Sequence, residues 1–245
     1  MSTRGRDAAG DDGWTSEISS GFALAGFLGL VFVALTLLAM GPLAKFDAYF
    51  NLAPPPPEWR PILQVVDRVG QRAVCLPILA VVTFLMCRRQ ESWRPAVVAA
   101  GAVFFLNLVV LVLKVGLGRD TPASADPSFF LGGMAFPSGH SANIVLVYGL
   151  IGYLVMRYGD PGPRTRVFLW ALVPALSVVM VVTSMTLRWH WFSDLLAGLL
   201  VGGAMLQLTA TVNRAVPTEW DPRHGLRQLI SARRAGRPPG PADPA

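Results

Sequence analysis

Three short stretches of this chain hold side chains suited to chemistry on an anion. The first runs Lys114-Val115-Gly116-Leu117-Gly118-Arg119-Asp120-Thr121-Pro122; the second is Pro137-Ser138-Gly139-His140; the third, from Thr183 to Asp194, contains Arg188, His190 and Asp194. Cations, a hydroxyl and bare backbone N–H groups at a helix start make a site for phosphate oxygens. Gly139 has no side chain to hold a ligand away from the backbone. Two histidines that titrate near neutrality can divide a displacement, one attacking and the other protonating the leaving oxygen. Asp194 follows His190 by four positions. On a helix the two share a face, so the carboxylate can hold one ring nitrogen and leave the other unprotonated and pointing outward.

Each of these residues has a plainer use when taken alone. Lys114 could anchor a helix end at an interface, Ser138 could cap a helix, and Asp194 could sit in a first turn where the helix dipole favours an acid. His190 and Asp194 are also half of a metal site. No fourth ligand is evident, however, and the lysine and arginines nearby would repel a cation, so neither a metal nor a cofactor is expected.

The elements that must position these residues are membrane helices. The chain has 245 residues, of which 53% are hydrophobic and 15% charged, with a mean hydropathy of +0.48. That is too apolar for an ordinary soluble domain. Crossing a bilayer takes about 20 mostly apolar residues in a helix, because the backbone must satisfy its own polar groups there. Six runs approach this: 18–43, 73–87, 95–113, 141–156, 167–187 and 191–212. The second is the shortest and needs Arg72 or Arg88 to reach the interface. The expected fold is therefore all-α, a bundle of six transmembrane helices over residues 18–212. A polar leader (1–17), whose mixed charges are unlike a signal peptide, precedes it, and a basic, Pro- and Gly-rich tail (213–245), expected to be disordered, follows. Between the first two spans, Pro54 to Pro57 favour an extended segment and 61–69 a short interfacial helix.

Positive loops tend to stay in the cytoplasm. Arg88, Arg89 and Arg94, then Arg157, Arg164 and Arg166, then the arginines of the tail fall on one side if both termini are cytoplasmic. They outweigh Lys45, Arg60, Arg68 and Arg72 on the other. In this orientation, in a plasma (inner) membrane, the three chemical stretches converge on the extracytoplasmic face. Ionisable groups gathered at membrane depth mark a site. The net charge of +6 then reads as topology signals and a solvated tail, with no nucleic-acid partner. Cys75 and Cys87, twelve residues apart on one span, are separated by roughly 18 Å along a helix and cannot pair.

The three stretches resemble the motifs of the type 2 phosphatidic acid phosphatase superfamily, membrane lipid phosphatases related to vanadium haloperoxidases. Those motifs are Lys, six residues, Arg-Pro; then Pro-Ser-Gly-His; then Ser-Arg, five residues, His, three residues, Asp. The resemblance implies that His190 is a nucleophile forming a phosphohistidine, that Asp194 orients it, and that His140 is the acid for the leaving group. Ser138, the Gly139 amide and Lys114 would bind phosphate. Two family arginines are missing: Thr121 and Ser184 occupy their positions. Arg119 stands two residues before the first, which in an extended segment keeps a side chain on the same side. Arg188 stands four residues after the second, the same face of a helix. Both are expected to supply phosphate-binding charge from displaced positions. The partners implied are membrane lipids and a phosphorylated lipid substrate, with a polyprenyl diphosphate or phosphate favoured over phosphatidic acid or phosphatidylglycerol phosphate. A lipid-linked phosphotransferase and a non-catalytic lipid-phosphate binding or transport protein are the alternatives.

Overall fold

The computed structural model describes residues 4–217, and every regular element among them is helical. These are α1 (Arg4–Ala39), α2 (Pro42–Tyr49), α3 (Arg60–Asp67), α4 (Arg72–Gln90), α5 (Arg94–Leu117), α6 (Gly139–Asn143), α7 (Gly149–Tyr158), α8 (Pro163–Thr186) and α9 (Phe192–Ala215). A π turn, Ile144–Tyr148, joins α6 to α7 and makes them one span. Among the described residues, six segments are long and apolar enough to cross a membrane: Thr15–Ala39, Arg72–Gln90, Arg94–Ser124, Gly139–Tyr158, Pro163–Thr186 and Phe192–Ala215. The all-α, six-span architecture expected from the sequence is the one observed.

Boundaries differ where local chemistry overrides hydropathy. The first span stops at Ala39, short of residue 43, because Gly41 leaves helical geometry and Pro42 opens a separate helix at the position proline tolerates best. Helix α1 begins at Arg4, inside the segment read as a leader. Residues 213–215, read as the start of the tail, still belong to α9. The remainder of the expected tail, 218–245, lies outside the described residues.

The α6–α7 span is the most buried of the six, and α4, α5, α8 and α9 pack around it. Helix α9 lies directly against α6. A Cβ built at Gly198 would come within 2.3 Å of the Ser138 carbonyl oxygen, and one at Gly202 within 2.6 Å of that of Ala142. Only glycine allows this approach. Helix α1 packs along the other side of α9. The outward faces of α1, α4, α5 and α8 expose Leu30, Phe84, Phe104 and Trp170, as lipid-facing surfaces do.

Ends of the bundle are built differently. At one, the Arg94 side chain is buried, donating from Nε to Asn213 Oδ1 at 2.9 Å and from Nη2 to the Val216 carbonyl at 2.7 Å. It caps the C-terminal carbonyls of α9, where a cation is favoured. Arg94, counted from the sequence as a loop charge, thus serves the interior. At the other end meet the N-termini of α4, α6 and α9 and the C-termini of α5 and α8.

Candidate active site

Helix α8 ends at Thr186, and the chain turns through 187–191 before α9 begins. His190 therefore precedes the helix that carries Asp194, rather than sharing it as the four-residue spacing suggests. The pair still meets: His190 Nδ1 lies 3.6 Å from Asp194 Oδ2. Asp194 is fully buried at the third position of α9, and Oδ2 accepts the Trp191 N–H at 2.9 Å, closing the open start of the helix. With Nδ1 turned to the carboxylate, Nε2 is the nitrogen left for other work.

His140 enters from the start of α6. Ser138 caps that helix, its Oγ accepting the Ser141 N–H at 3.4 Å, while its own N–H donates to the Asp194 carbonyl at 2.9 Å. This bond ties the second stretch to the third. The His140 and His190 rings stand 6.2 Å apart, centroid to centroid. Both line a cavity of about 510 Å³ with Lys114, Gly139, Asn143, Trp189 and Arg72. Lys114 donates to the Met134 carbonyl from the end of α5. An adjoining groove of about 370 Å³ shares Arg72, Lys114 and Gly139 and continues along α5 past Asn107 and Leu111. A polar chamber therefore opens onto an apolar channel. Ser138 is fully buried behind the cavity.

Arg119 and Arg188, expected to bring charge to this cavity from displaced positions, do not face it. Arg119 is fully buried. Nη1 meets Asp194 Oδ1 at 2.6 Å and Nη2 meets Asp47 Oδ2 at 2.7 Å, while Nε donates to the Pro127 carbonyl at 2.8 Å. Its guanidinium carbon lies 4.7 Å from the centre of the Phe129 ring. Gly118, with φ +53°, ends α5 just before Arg119, and the buried carboxylates of Asp47 and Asp194 hold the guanidinium away from the cavity. Arg188 has φ +60° in the turn after α8, so helical spacing no longer applies. Its Nε donates to Asn51 Oδ1 at 3.0 Å and its Nη2 to the Pro122 carbonyl at 2.8 Å. One arginine braces the aspartate from behind; the other pins the turn.

Three residues that sequence reasoning passed over complete the arrangement. Asp47, on α2, is buried and accepts bonds from the Ser193 N–H at 3.0 Å and from Arg119. Asp67 closes α3 beneath His140, with Oδ2 at 3.4 Å from Nε2 of the ring. Arg72 opens α4 with its side chain toward the cavity and no protein partner among the described contacts. The only signal in the sequence was that two acids and an arginine flank a short helix between the first two spans.

A family model for the PAP2 superfamily matches residues 95–216, the half of the chain that carries Lys114, His140, His190 and Asp194. The chain belongs to the PAP2 superfamily. A curated relative, phosphatidylglycerophosphatase B of Bacillus subtilis (strain 168), is 23% identical over 142 residues, covering 58% of this chain and 68% of the relative. The crystal structure of a transmembrane PAP2-type phosphatidylglycerolphosphate phosphatase from Bacillus subtilis superposes with a TM-score of 0.68 at 19% identity. It covers 80% of this chain and 98% of that one. As a PAP2 protein the chain is a membrane-embedded hydrolase of phosphoric esters.

Proposed function

We propose that this PAP2 protein removes phosphate from a lipid through a phosphohistidine formed on His190. The observation that carries this reading is the pair of histidines 6.2 Å apart on one cavity with Lys114 and Arg72. That gap accommodates a phosphorus centre with a nucleophile on one side and an acid on the other. Nε2 of His190 attacks phosphorus as the bond to the lipid oxygen breaks, and His140 hands its proton to that oxygen. Water, deprotonated by His140, then cleaves the phosphorus–nitrogen bond and releases inorganic phosphate. Asp194 fixes the His190 tautomer, and Arg119 with Asp47 fixes Asp194. Lys114, the Gly139 amide at the α6 start and Arg72 bind the phosphate oxygens. Ser138 assists by holding that helix start in place.

Arg72 thus takes the charge role expected of Arg119 and Arg188. Arg72→Ala is expected to lower kcat/KM about ten- to a hundredfold, the scale of one hydrogen bond to a charged group, with partial recovery in Arg72→Lys. Steady-state kinetics on a lipid phosphate check it, and an unchanged kcat/KM would remove Arg72 from the site.

The groove that leads off the cavity along α5 suits a substrate whose phosphate enters the chamber while its tail stays in lipid. The activity named in both Bacillus subtilis comparisons puts phosphatidylglycerol phosphate first among candidates, with polyprenyl diphosphate and phosphatidic acid beside it. The cavity end of the bundle faces away from the cytoplasm in the plasma membrane, both termini being cytoplasmic, as the arginine-rich loops at the far end favour. No metal takes part, since Lys114 and Arg72 oppose a cation at the same place. Purified protein in detergent is expected to release inorganic phosphate from at least one of these lipids, and to do so with a chelator present. Loss of activity in the chelator would overturn the metal-free mechanism. A new phosphorylated lipid in place of free phosphate would make the enzyme a transferase.

A further inference from the structure

Asp67 has no part in the mechanism above, yet it is the best-prepared group near His140. Its side chain is fully buried at the end of α3, and Oδ1 accepts a hydrogen bond from Ser184 Oγ at 2.7 Å. Oδ2 has no hydrogen-bond partner and lies 3.4 Å from Nε2 of His140, which has none either. A buried carboxylate left half-satisfied is costly. Two complementary atoms, both unpartnered, face each other across a gap that a small ring movement closes.

The surroundings hold this approach in place. Tyr148 Oη donates to the Val69 carbonyl at 3.0 Å and Asn143 Nδ2 to that of Gly70 at 3.3 Å. A Cβ at Gly70 would lie 3.2 Å from the Cβ of His140 and 2.7 Å from Met180 Cε. The turn after Asp67 is thereby clamped onto the base of the histidine. The other charged or titratable groups acting on His140 are His190, Lys114 and Arg72. Asp67 is the one carboxylate among them, so without it a protonated ring would have no counterion among these groups. Ser184 stands where the family's third motif has arginine. A guanidinium there would pair with Asp67 and take the carboxylate from the ring, whereas a serine hydroxyl occupies one oxygen and leaves the second free.

We propose that Asp67 is a positioning residue for His140. It accepts a hydrogen bond from Nε2–H, which fixes the ring and its tautomer, so that Nδ1 carries the proton exchanged with substrate. As the lipid oxygen leaves phosphorus, the Nδ1 proton passes to it and the alcohol departs; the ring remains neutral, protonated at Nε2. When water attacks the phosphohistidine, its proton returns to Nδ1 as the phosphorus–nitrogen bond breaks. Each histidine thus has a carboxylate of its own, Asp194 for the nucleophile and Asp67 for the acid.

This inference rests on the phosphatase reading, and leaving-group chemistry tests the two apart. An alkyl ester needs a proton on its departing oxygen, while a 4-nitrophenyl ester departs as a stabilised anion. In Asp67→Asn, kcat/KM for a short-chain phosphatidic acid is expected to fall about a hundredfold, within the range of general acid catalysis. For 4-nitrophenyl phosphate it is expected to fall less than about fivefold. Both are measured on one preparation, so any fraction of misfolded protein cancels in the ratio. In a His140→Ala background, adding Asp67→Asn should cost nothing further on the alkyl ester. An unchanged ratio between the two esters, or a full additional loss beside His140→Ala, would overturn the role of Asp67 alone. A wild-type protein that cleaves neither ester, and releases phosphate from none of the lipids named above, would overturn the phosphatase reading with it.

Discussion

Replacing His190 with alanine is expected to abolish phosphate release, lowering kcat on the order of 10⁴-fold or more, the scale on which enzymes lose a covalent nucleophile. The ring sits at the cavity wall with Nδ1 facing Asp194 Oδ2 at 3.6 Å, so under the proposed mechanism Nε2 is the atom that bonds phosphorus. His140, 6.2 Å away by ring centroids, has the opposite task in that mechanism. Brief exposure to a lipid carrying radiolabelled phosphate, followed by alkaline quench, should leave label on the wild-type chain that acid removes, as a phosphorus–nitrogen bond requires. His190→Ala should carry none. Label on the variant, or turnover close to wild type, would move the nucleophile elsewhere.

Arg119→Leu is expected to be the most destabilising single change at this end of the bundle. The guanidinium joins Asp47 to Asp194 with both carboxylates fully buried. Removing the cation leaves two charges without a counterion in a region closed to water. Breaking a buried pair in this way typically costs about 3–5 kcal/mol, and here two pairs share one arginine. The unfolding temperature in detergent should fall sharply, and activity with it, because Asp194 loses the brace behind it. Arg119→Lys should retain part of the stability, since an ammonium can reach one carboxylate but cannot span both in a fixed plane. If Arg119→Leu instead kept its stability and changed only KM, the arginine would be acting on substrate from the cavity, contrary to its placement.

The spans and the three chemical stretches were legible because each depends on short-range pattern. Apolar runs near the thickness of a bilayer fix helices almost irrespective of context, and helix ends bring 114–122, 137–140 and 183–194 to one end of the bundle. What could not be read was the direction of side chains where the chain leaves regular geometry. Alternation along an extended strand and four-residue spacing along a helix both misplaced an arginine: Arg119 is taken by two buried carboxylates from distant parts of the chain, and positive φ at Arg188 breaks the helical spacing. Asp47 and Asp67 were invisible for a different reason. Asp47 meets Ser193 across 146 positions and Asp67 meets Ser184 across 117, and such contacts exist only once α2 and α3 have folded back onto the bundle. Arg72 looked like a charge that ends a short span. Its place at the cavity depends on the clamped turn just before it.

The π turn over Ile144–Tyr148 sets a limit on how this span can change in length. Each α-helical residue advances about 100° around the axis, and a π turn takes up roughly one residue more than an α turn. His140 and Asn143 above it therefore keep a different angular phase from Tyr153 and Tyr158 below it. A helical wheel drawn with one phase through the whole span would assign one half of it to the wrong face. Loss of a single residue within the turn would let it close into an α turn and leave the angle between His140 and the network around Asn213 nearly unchanged, whereas loss of a residue elsewhere in the span would rotate His140 by about 100°. Within 139–158, a change of length by one residue should then be tolerated only inside 144–148, while the α-helical parts on either side keep theirs.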